Sequence, residues 1–248
     1  MLKITFLGTN GWYDTLTGNT ISILIETSDH FIILDAGNGL HKVDQYIQTE
    51  KSIYLFLSHF HLDHIEGFHI LNKFKFPQGL TIVGQTGTSD ILNRIINKPY
   101  TVPFSELPFR VDIQEIAEGH HEFPFPVQCH YLLHSSPTLG FRFDLDGRII
   151  TYCPDTGYCQ NAVKLAEKAD LLIAECALKG GEDIPSRPHL NPETAGRMAR
   201  DAQVKQLALV HFDADRYRTL AERDEAQKAA QKIFPQVIAT MDGMELEI

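Results

Sequence analysis

The chain has 248 residues, 43% of them hydrophobic and 22% charged, with a formal net charge of −10 at pH 7. That length supports one large core, and no window approaches the roughly 20 apolar residues of a membrane-spanning helix. The acidic balance works against nucleic-acid binding, which draws much of its affinity from Lys and Arg on phosphates; it favours a small substrate without excluding RNA. In chain order, residues 3–7 and 21–26 read as strands, the second from its β-branched run. The loop between them, 8–20, is rich in turn formers. A third strand, 31–34, closes on Asp35-Ala36-Gly37-Asn38-Gly39, and a short helix leads to a fourth, 53–57. The spacing of Ile65, Phe68, Ile70 and Leu71 predicts a helix with Asp63 and His64 at its start, where free N–H groups favour a carboxylate.

A strand over 80–83 and a helix over 89–96, stopped by Pro99, come next. The pattern then turns strand-rich, with 111–116, 127–133, 139–145 and 148–153; Asp146-Gly147 marks a hairpin between the last two. Helices at 162–169, 192–202 and 221–233 alternate with strands at 171–174 and 207–210, and strands near 237–240 and 244–248 close the chain. This order predicts an α/β fold: two mixed sheets face to face with helices on the outer faces, a four-layer αββα sandwich forming a single domain over residues 1–248. The four cysteines form no Cys-x-x-Cys pair and read as buried thiols of a cytoplasmic protein. The N-terminus is too short and strand-like for a signal peptide.

The strand at 53–57 runs into Ser58-His59-Phe60-His61-Leu62-Asp63-His64, three imidazoles and a carboxylate within six residues. A solvated turn is the plain reading of one His-x-His pair, but not of this density. Imidazole with carboxylate suits Zn, Mn or Fe, whereas a thiolate-rich set would point to structural zinc. His134, Asp155 and His211 also follow strands. Each alone reads as a hydrogen-bonded turn residue, yet four strands ending in such groups could aim them into one cleft. Five histidines and two aspartates suffice for two ions sharing a carboxylate.

These residues resemble the ligand pattern of the metallo-β-lactamase superfamily, and within it the branch of ribonuclease Z and its phosphodiesterase relatives. Leu7-Gly8-Thr9, Leu34-Asp35-Ala36-Gly37, Gly140-Phe141-Arg142 and the run from Ala169 to Glu175 are similar to that branch. So are His189-Leu190-Asn191-Pro192-Glu193-Thr194 and His211-Phe212 with Arg216-Tyr217. The resemblance implies one metal on His59, His61 and His134, a second on Asp63, His64 and His211, and Asp155 bridging. It implies hydrolysis of a phosphodiester by a hydroxide shared between two divalent ions, expected to be zinc, with manganese or iron as the alternatives. Asp63 would orient that hydroxide, and His189, no ligand, would contact the phosphate and protonate the leaving oxygen. Relatives of this kind often form homodimers.

Two departures argue against tRNA as a partner. Only about twenty residues separate His134 from Asp155, too few for the family's tRNA-gripping arm, and two acids stand in the His211-to-Tyr217 stretch. A small nucleotide, a cyclic phosphate or a short RNA end is the expected substrate. Hydrolysis of a thioester, lactone or amide at the same site is the rival enzyme reading, against which His189 and the Arg216-Tyr217 ending count. A non-catalytic binding protein is the third reading, disfavoured because all seven ligand positions are filled. Glu175 reads equally as a partner for a ligating histidine or as an ordinary buried acid. Trp12 and Tyr13 read as a stacking surface for a base or as cover for core. His120, His121 and His130 have no assigned role.

Overall fold

Successive side chains of a strand point to opposite faces, so a strand buried along its whole length must be covered on both sides. Leu171–Glu175 is such a strand: Leu171 and Ile173 enter one core, Leu172 and Ala174 another. A computed structural model, which describes residues 2–248, identifies the covering layers. The first strands are β1 (Lys3–Gly8), β2 (Asn10–Gly11), β3 (Ser22–Glu26), β4 (His30–Leu34), β5 (Ser52–Phe56), β6 (Leu80–Gln85) and β7 (Val111–Ile116). They are followed by β8 (Gly119–Glu122), β9 (Pro126–Tyr131), β10 (Leu139–Leu145), β11 (Arg148–Cys153) and β12 (Leu171–Glu175). The last four are β13 (Gln206–Val210), β14 (Phe212–Asp213), β15 (Val237–Ala239) and β16 (Glu245–Glu247). The helices are α1 (Leu62–Ile65), α2 (Thr88–Ile95), α3 (Gln160–Leu165), α4 (Pro192–Asp201) and α5 (Leu220–Gln231).

Two seven-stranded mixed sheets result, ordered β16-β1-β3-β4-β5-β6-β7 and β15-β13-β12-β11-β10-β9-β8. Their facing sides share one apolar core, in which the Phe56 ring of the first sheet lies 5.4 Å from Phe141 and 4.9 Å from Phe143 of the second. Outside the first sheet lie α2 and two 3-10 segments, Asn38–Gln45 and Glu66–Lys73, whose Leu40, Val43, Phe68 and Leu71 are buried against it. Outside the second lie α3, α4 and α5. The last two begin with reciprocal capping boxes on Asn191 and Thr219, which satisfy otherwise free N–H groups. This is the αββα sandwich expected from the element order. Among the described residues no helix is long and apolar enough to cross a membrane, and all four cysteines are free, Cys129, Cys153 and Cys176 being buried.

Three local expectations change. The helix expected after Asp63 is a single α turn continued as 3-10 helix. The strand expected to run to Leu133 ends at Tyr131, so His134 sits in the loop beyond it. Strands β2, β8 and β14 add to the expected set: β8 is a polar edge strand, and β2 and β14 are two residues each, too short for periodicity to register. At Asp146-Gly147 both residues have positive φ, 50° and 75°, the turn geometry that the twist of a two-residue hairpin demands. Phe56→Ala removes the first-sheet ring on which Phe141 and Phe143 of β10 and Phe123 and Phe125 of the β8–β9 turn converge. It is expected to lower the unfolding free energy by about 3–5 kcal/mol, read by urea denaturation with an unchanged denaturant slope.

Candidate metal centre

Strand β5 runs parallel to both neighbours, β11 and β13 run parallel to β12, and β9, antiparallel to β10 as β11 is, runs with β11. Their C-terminal ends therefore open on one edge of the sandwich, where loops have free backbone and side chains to offer. The turn after β5 delivers His59 and His61; α1 carries Asp63 and His64; the loop after β9 brings His134, that after β11 Asp155, and the residue after β13 is His211. All seven expected residues meet there. His59, His61, His134 and Asp155 form one group and Asp63, His64 and His211 another, with candidate ligand atoms within 4.8 Å of one another in each.

In the first group His59 Nε2 is 2.9 Å from His61 Nδ1, which is 3.3 Å from His134 Nε2. Asp155 Oδ2 lies 3.9 Å from His59 Nε2 and 3.7 Å from His134 Nε2. In the second, His211 Nε2 is 3.2 Å from both His64 Nε2 and Asp63 Oδ2. The other oxygen of Asp155, Oδ1, is 3.1 Å from His64 Nε2 and 3.2 Å from His211 Nε2. A tetrahedral site with metal–ligand distances of about 2.0–2.1 Å has edges of about 3.3 Å, so both groups have the dimensions of a metal polyhedron, and Asp155 presents one oxygen to each. Asp155 Oδ1 is buried with no well-aligned hydrogen bond, facing only the His64 and His211 nitrogens, as an atom reserved for a cation would be.

Burial holds His59 well below the ordinary imidazole pKa, and His134 at about 4 against the opposing pull of Asp155. Both rings are neutral and have a lone pair to donate. Burial also works to raise the Asp155 and Asp63 carboxyls, but the facing His211 and His64 hold both below the usual carboxylate range. His64 and His211 are raised despite their burial, mainly by Asp155. Any proton carried on those nitrogens competes with an incoming cation for the same lone pairs.

The rings are oriented from behind by residues to which the sequence assigned no role. Asp35, fully buried, accepts His64 Nδ1–H at 2.8 Å, Tyr152 O–H at 2.7 Å, and Ser58 through both its N–H at 2.7 Å and its hydroxyl at 2.8 Å. Ser58 Oγ in turn faces His59 Nδ1 at 3.0 Å. With Nδ1 engaged, the Nε2 lone pairs of both histidines point to the centre. Gly11 is the other such residue, since a Cβ there would lie 2.4 Å from the His211 ring. The available signals were the acid closing an apolar strand at Asp35 and the Gly-rich loop; neither says what lies opposite.

His189 is not in either group. Its ring lies 5.2 Å from that of His134, and its Nδ1 is 2.6 Å from Oε1 of the fully buried Glu175. Glu175 also accepts the N–H of Thr156, beside Asp155, and of Ala177. It therefore partners the non-ligating His189, not a ligating histidine. Burial works to lower the His189 pKa, but Glu175 outweighs it and raises the value to about 9. The cleft in front has a volume of about 460 Å³, and its lining includes Trp12, Leu62, Glu66, Arg187, His189 and Asp213. Arg187 is the one Lys or Arg in that lining. Arg216 does not reach it: its guanidinium is held by Glu182 and Asp213, each at 2.9 Å. Tyr217 is buried, donating to the Leu178 carbonyl. The Arg216-Tyr217 ending thus does not separate phosphodiester from acyl substrates by contact. His130 pairs with Glu118 and His121 with the Ala117 carbonyl, away from the cleft.

A family model described as the beta-lactamase superfamily domain matches residues 30–212, and the chain belongs to that superfamily, with its metallo-β-lactamase fold. The chain is 26% identical over 242 residues to the probable metallo-hydrolase YhfI of Bacillus subtilis, 94% of each being covered. The crystal structure of that protein superposes with a TM-score of 0.84 at 24% identity, over 100% of this chain and 99% of the other. Ribonuclease Z of Bacillus licheniformis is 27% identical over 313 aligned positions, which cover 100% of this chain and 99% of the relative. Since this chain has 248 residues, that relative carries several dozen residues that this one lacks. Asp35→Asn leaves the volume but removes the charge that orients His64 and Ser58. It is expected to weaken metal binding about 10–100-fold, measured by competition with a chromophoric chelator.

Proposed function

We propose that the protein is a metal-dependent phosphodiesterase that cleaves a small nucleotide, a cyclic phosphate or a short RNA end. His59, His61 and His134 would hold one divalent ion and Asp63, His64 and His211 another, with Asp155 shared. Zinc fits this ligand set, as do manganese and iron. Ions held there lower the pKa of water and neutralise charge on phosphoryl oxygens.

His189 is the observation that carries the reading. It is an imidazole outside both ligand groups, oriented by a buried carboxylate and facing the same cleft as the Asp155 side of the cluster. A departing alkoxide needs a proton, and an imidazolium within reach supplies one. Arg187, on the same cleft lining, adds a second cation suited to an anionic phosphodiester rather than a neutral ester or amide. Relatives named ribonuclease Z agree with phosphodiester chemistry. Transfer RNA is disfavoured as the substrate. The segment between His134 and Asp155 is little more than the β10–β11 hairpin, and Glu66 adds an acid to a cleft lining with a single Arg.

Metal-loaded protein is expected to hydrolyse bis(p-nitrophenyl) phosphate faster than thioesters or lactones, to lose that activity on chelation and to regain it with zinc or manganese. Turnover confined to thioesters or lactones would overturn the proposal. His189→Ala is expected to lower kcat by about 10²–10⁴ on a diester with an alkoxide leaving group, and much less with p-nitrophenolate, which departs without a proton. With His189 as proton donor, activity declines as pH rises through its pKa, at or below about 9 once bound cations are added to its surroundings. Glu175→Gln removes the charge that raises this value, so the declining limb should move to lower pH in a pH–rate profile.

A further inference from the structure

Trp12 is the single tryptophan of the chain, and neither the metal groups nor the proton donor uses it. An indole is usually well buried; this one is 60% exposed in the cleft lining, beside Leu62, which is 71% exposed. It does not cover core. Its backbone has φ 75°, a left-handed conformation that bulky residues adopt only where the surroundings impose it.

Those surroundings belong to the metal groups themselves. The backbone N–H of Trp12 donates to Asp63 Oδ2 at 2.7 Å. Asn10 and Gly11, just before it, pair with Phe212 and Asp213 and bring the chain against the His211 ring. Behind the loop the buried Arg223 donates to Thr9 Oγ1 at 2.7 Å and to Asn10 Oδ1. Tyr13 meets the indole edge-on, with ring centroids 5.2 Å apart. The backbone of Trp12 is thus fixed next to Asp63 by the same residues that shape the site, and from it the indole, backed by Tyr13, is exposed on the cleft lining.

We propose that Trp12 is a specificity-determining stacking platform, on which the nucleobase of a nucleotide substrate lies while its phosphate occupies the cleft at the seven-residue cluster. The inference rests on the phosphodiesterase reading and names its substrate class: nucleotides in preference to sugar or alkyl phosphates. Stacking uses the π-face that every base has, so the platform selects for a base without choosing which.

Because Trp12 is the sole tryptophan, the indole fluorescence of the protein reports on this position alone. Zinc-loaded protein titrated with adenosine 5′-monophosphate should show quenching and an affinity roughly 5- to 100-fold above that for ribose 5-phosphate, which should bind without comparable quenching. In Trp12→Ala, with metal content verified, the preference measured by calorimetry should collapse toward unity, whereas Trp12→Phe should keep part of it. Equal affinities in the unmutated protein, or a preference that survives Trp12→Ala, would overturn the inference. Turnover of bis(p-nitrophenyl) phosphate separates the two claims. Turnover without a Trp12-dependent preference overturns the platform only. A Trp12-dependent preference with no diester hydrolysed overturns the phosphodiesterase reading and leaves Trp12 as a nucleotide-binding residue.

Discussion

One buried carboxylate, Asp35, joins the parts of this molecule that must agree for a site to exist. It stands at the end of β4, takes two bonds from Ser58 after β5 and one from His64 in α1, and receives the Tyr152 hydroxyl from the opposite sheet. Burying a charge costs several kcal/mol unless donors surround it, and charge-assisted hydrogen bonds contribute about 1.5–3 kcal/mol each. With four donors aimed at it, the carboxylate keeps its place and dictates theirs. The register of the two sheets at this edge and the tautomer of His64 follow from the same contacts.

Backbone strain gathers where function does. Among the described residues six non-glycine residues have positive φ, and three of them, Trp12, Asp35 and His211, belong to the site or its supports. The remaining three lie at a hairpin, Asp146, and just past α3 and α4, Lys168 and Gln203, where such conformations close ordinary turns and helix ends. A non-glycine residue in the left-handed region costs on the order of 1–3 kcal/mol. At the site that cost is offset by the Asp35 network, by the Trp12–Asp63 bond and by the short β2–β14 ladder. This ladder joins a loop of the first sheet to one of the second, so the cleft is built from both halves of the sandwich.

The acidic character of the chain takes on a local meaning here. Asp63 and Asp155 remain ionised because facing histidines, and in the loaded protein cations, stabilise them. Around that anionic centre the lining divides. His189 and Arg187 are its cationic groups, Glu66 and Asp213 its other acids, and Trp12 with Leu62 an apolar surface at its margin. Such a surface discriminates by charge and by planarity together, which suits a small anion with an aromatic group better than a long polyanion.

The linear chain was enough to determine the layers and to mark the seven residues that the fold gathers. Alternating apolar runs set the strands, and seven His and Asp residues at strand ends marked the cluster, because metal chemistry restricts which side chains serve and dense spacing is rare by chance. What the chain order could not carry were relations between distant segments. That Asp35 serves His64, that Glu175 serves His189, that Gly11 makes room for His211 and that Arg216 is taken up by carboxylates all depend on contacts across sheets. The ladder of β2 and β14 is likewise invisible to periodicity, being two residues long on each side. Hydrophobic pattern is a local property that each residue displays in turn. Orientation of a polar group depends on a partner that only the folded chain brings within 3 Å, and so tertiary structure alone decided which residues hold the site in shape.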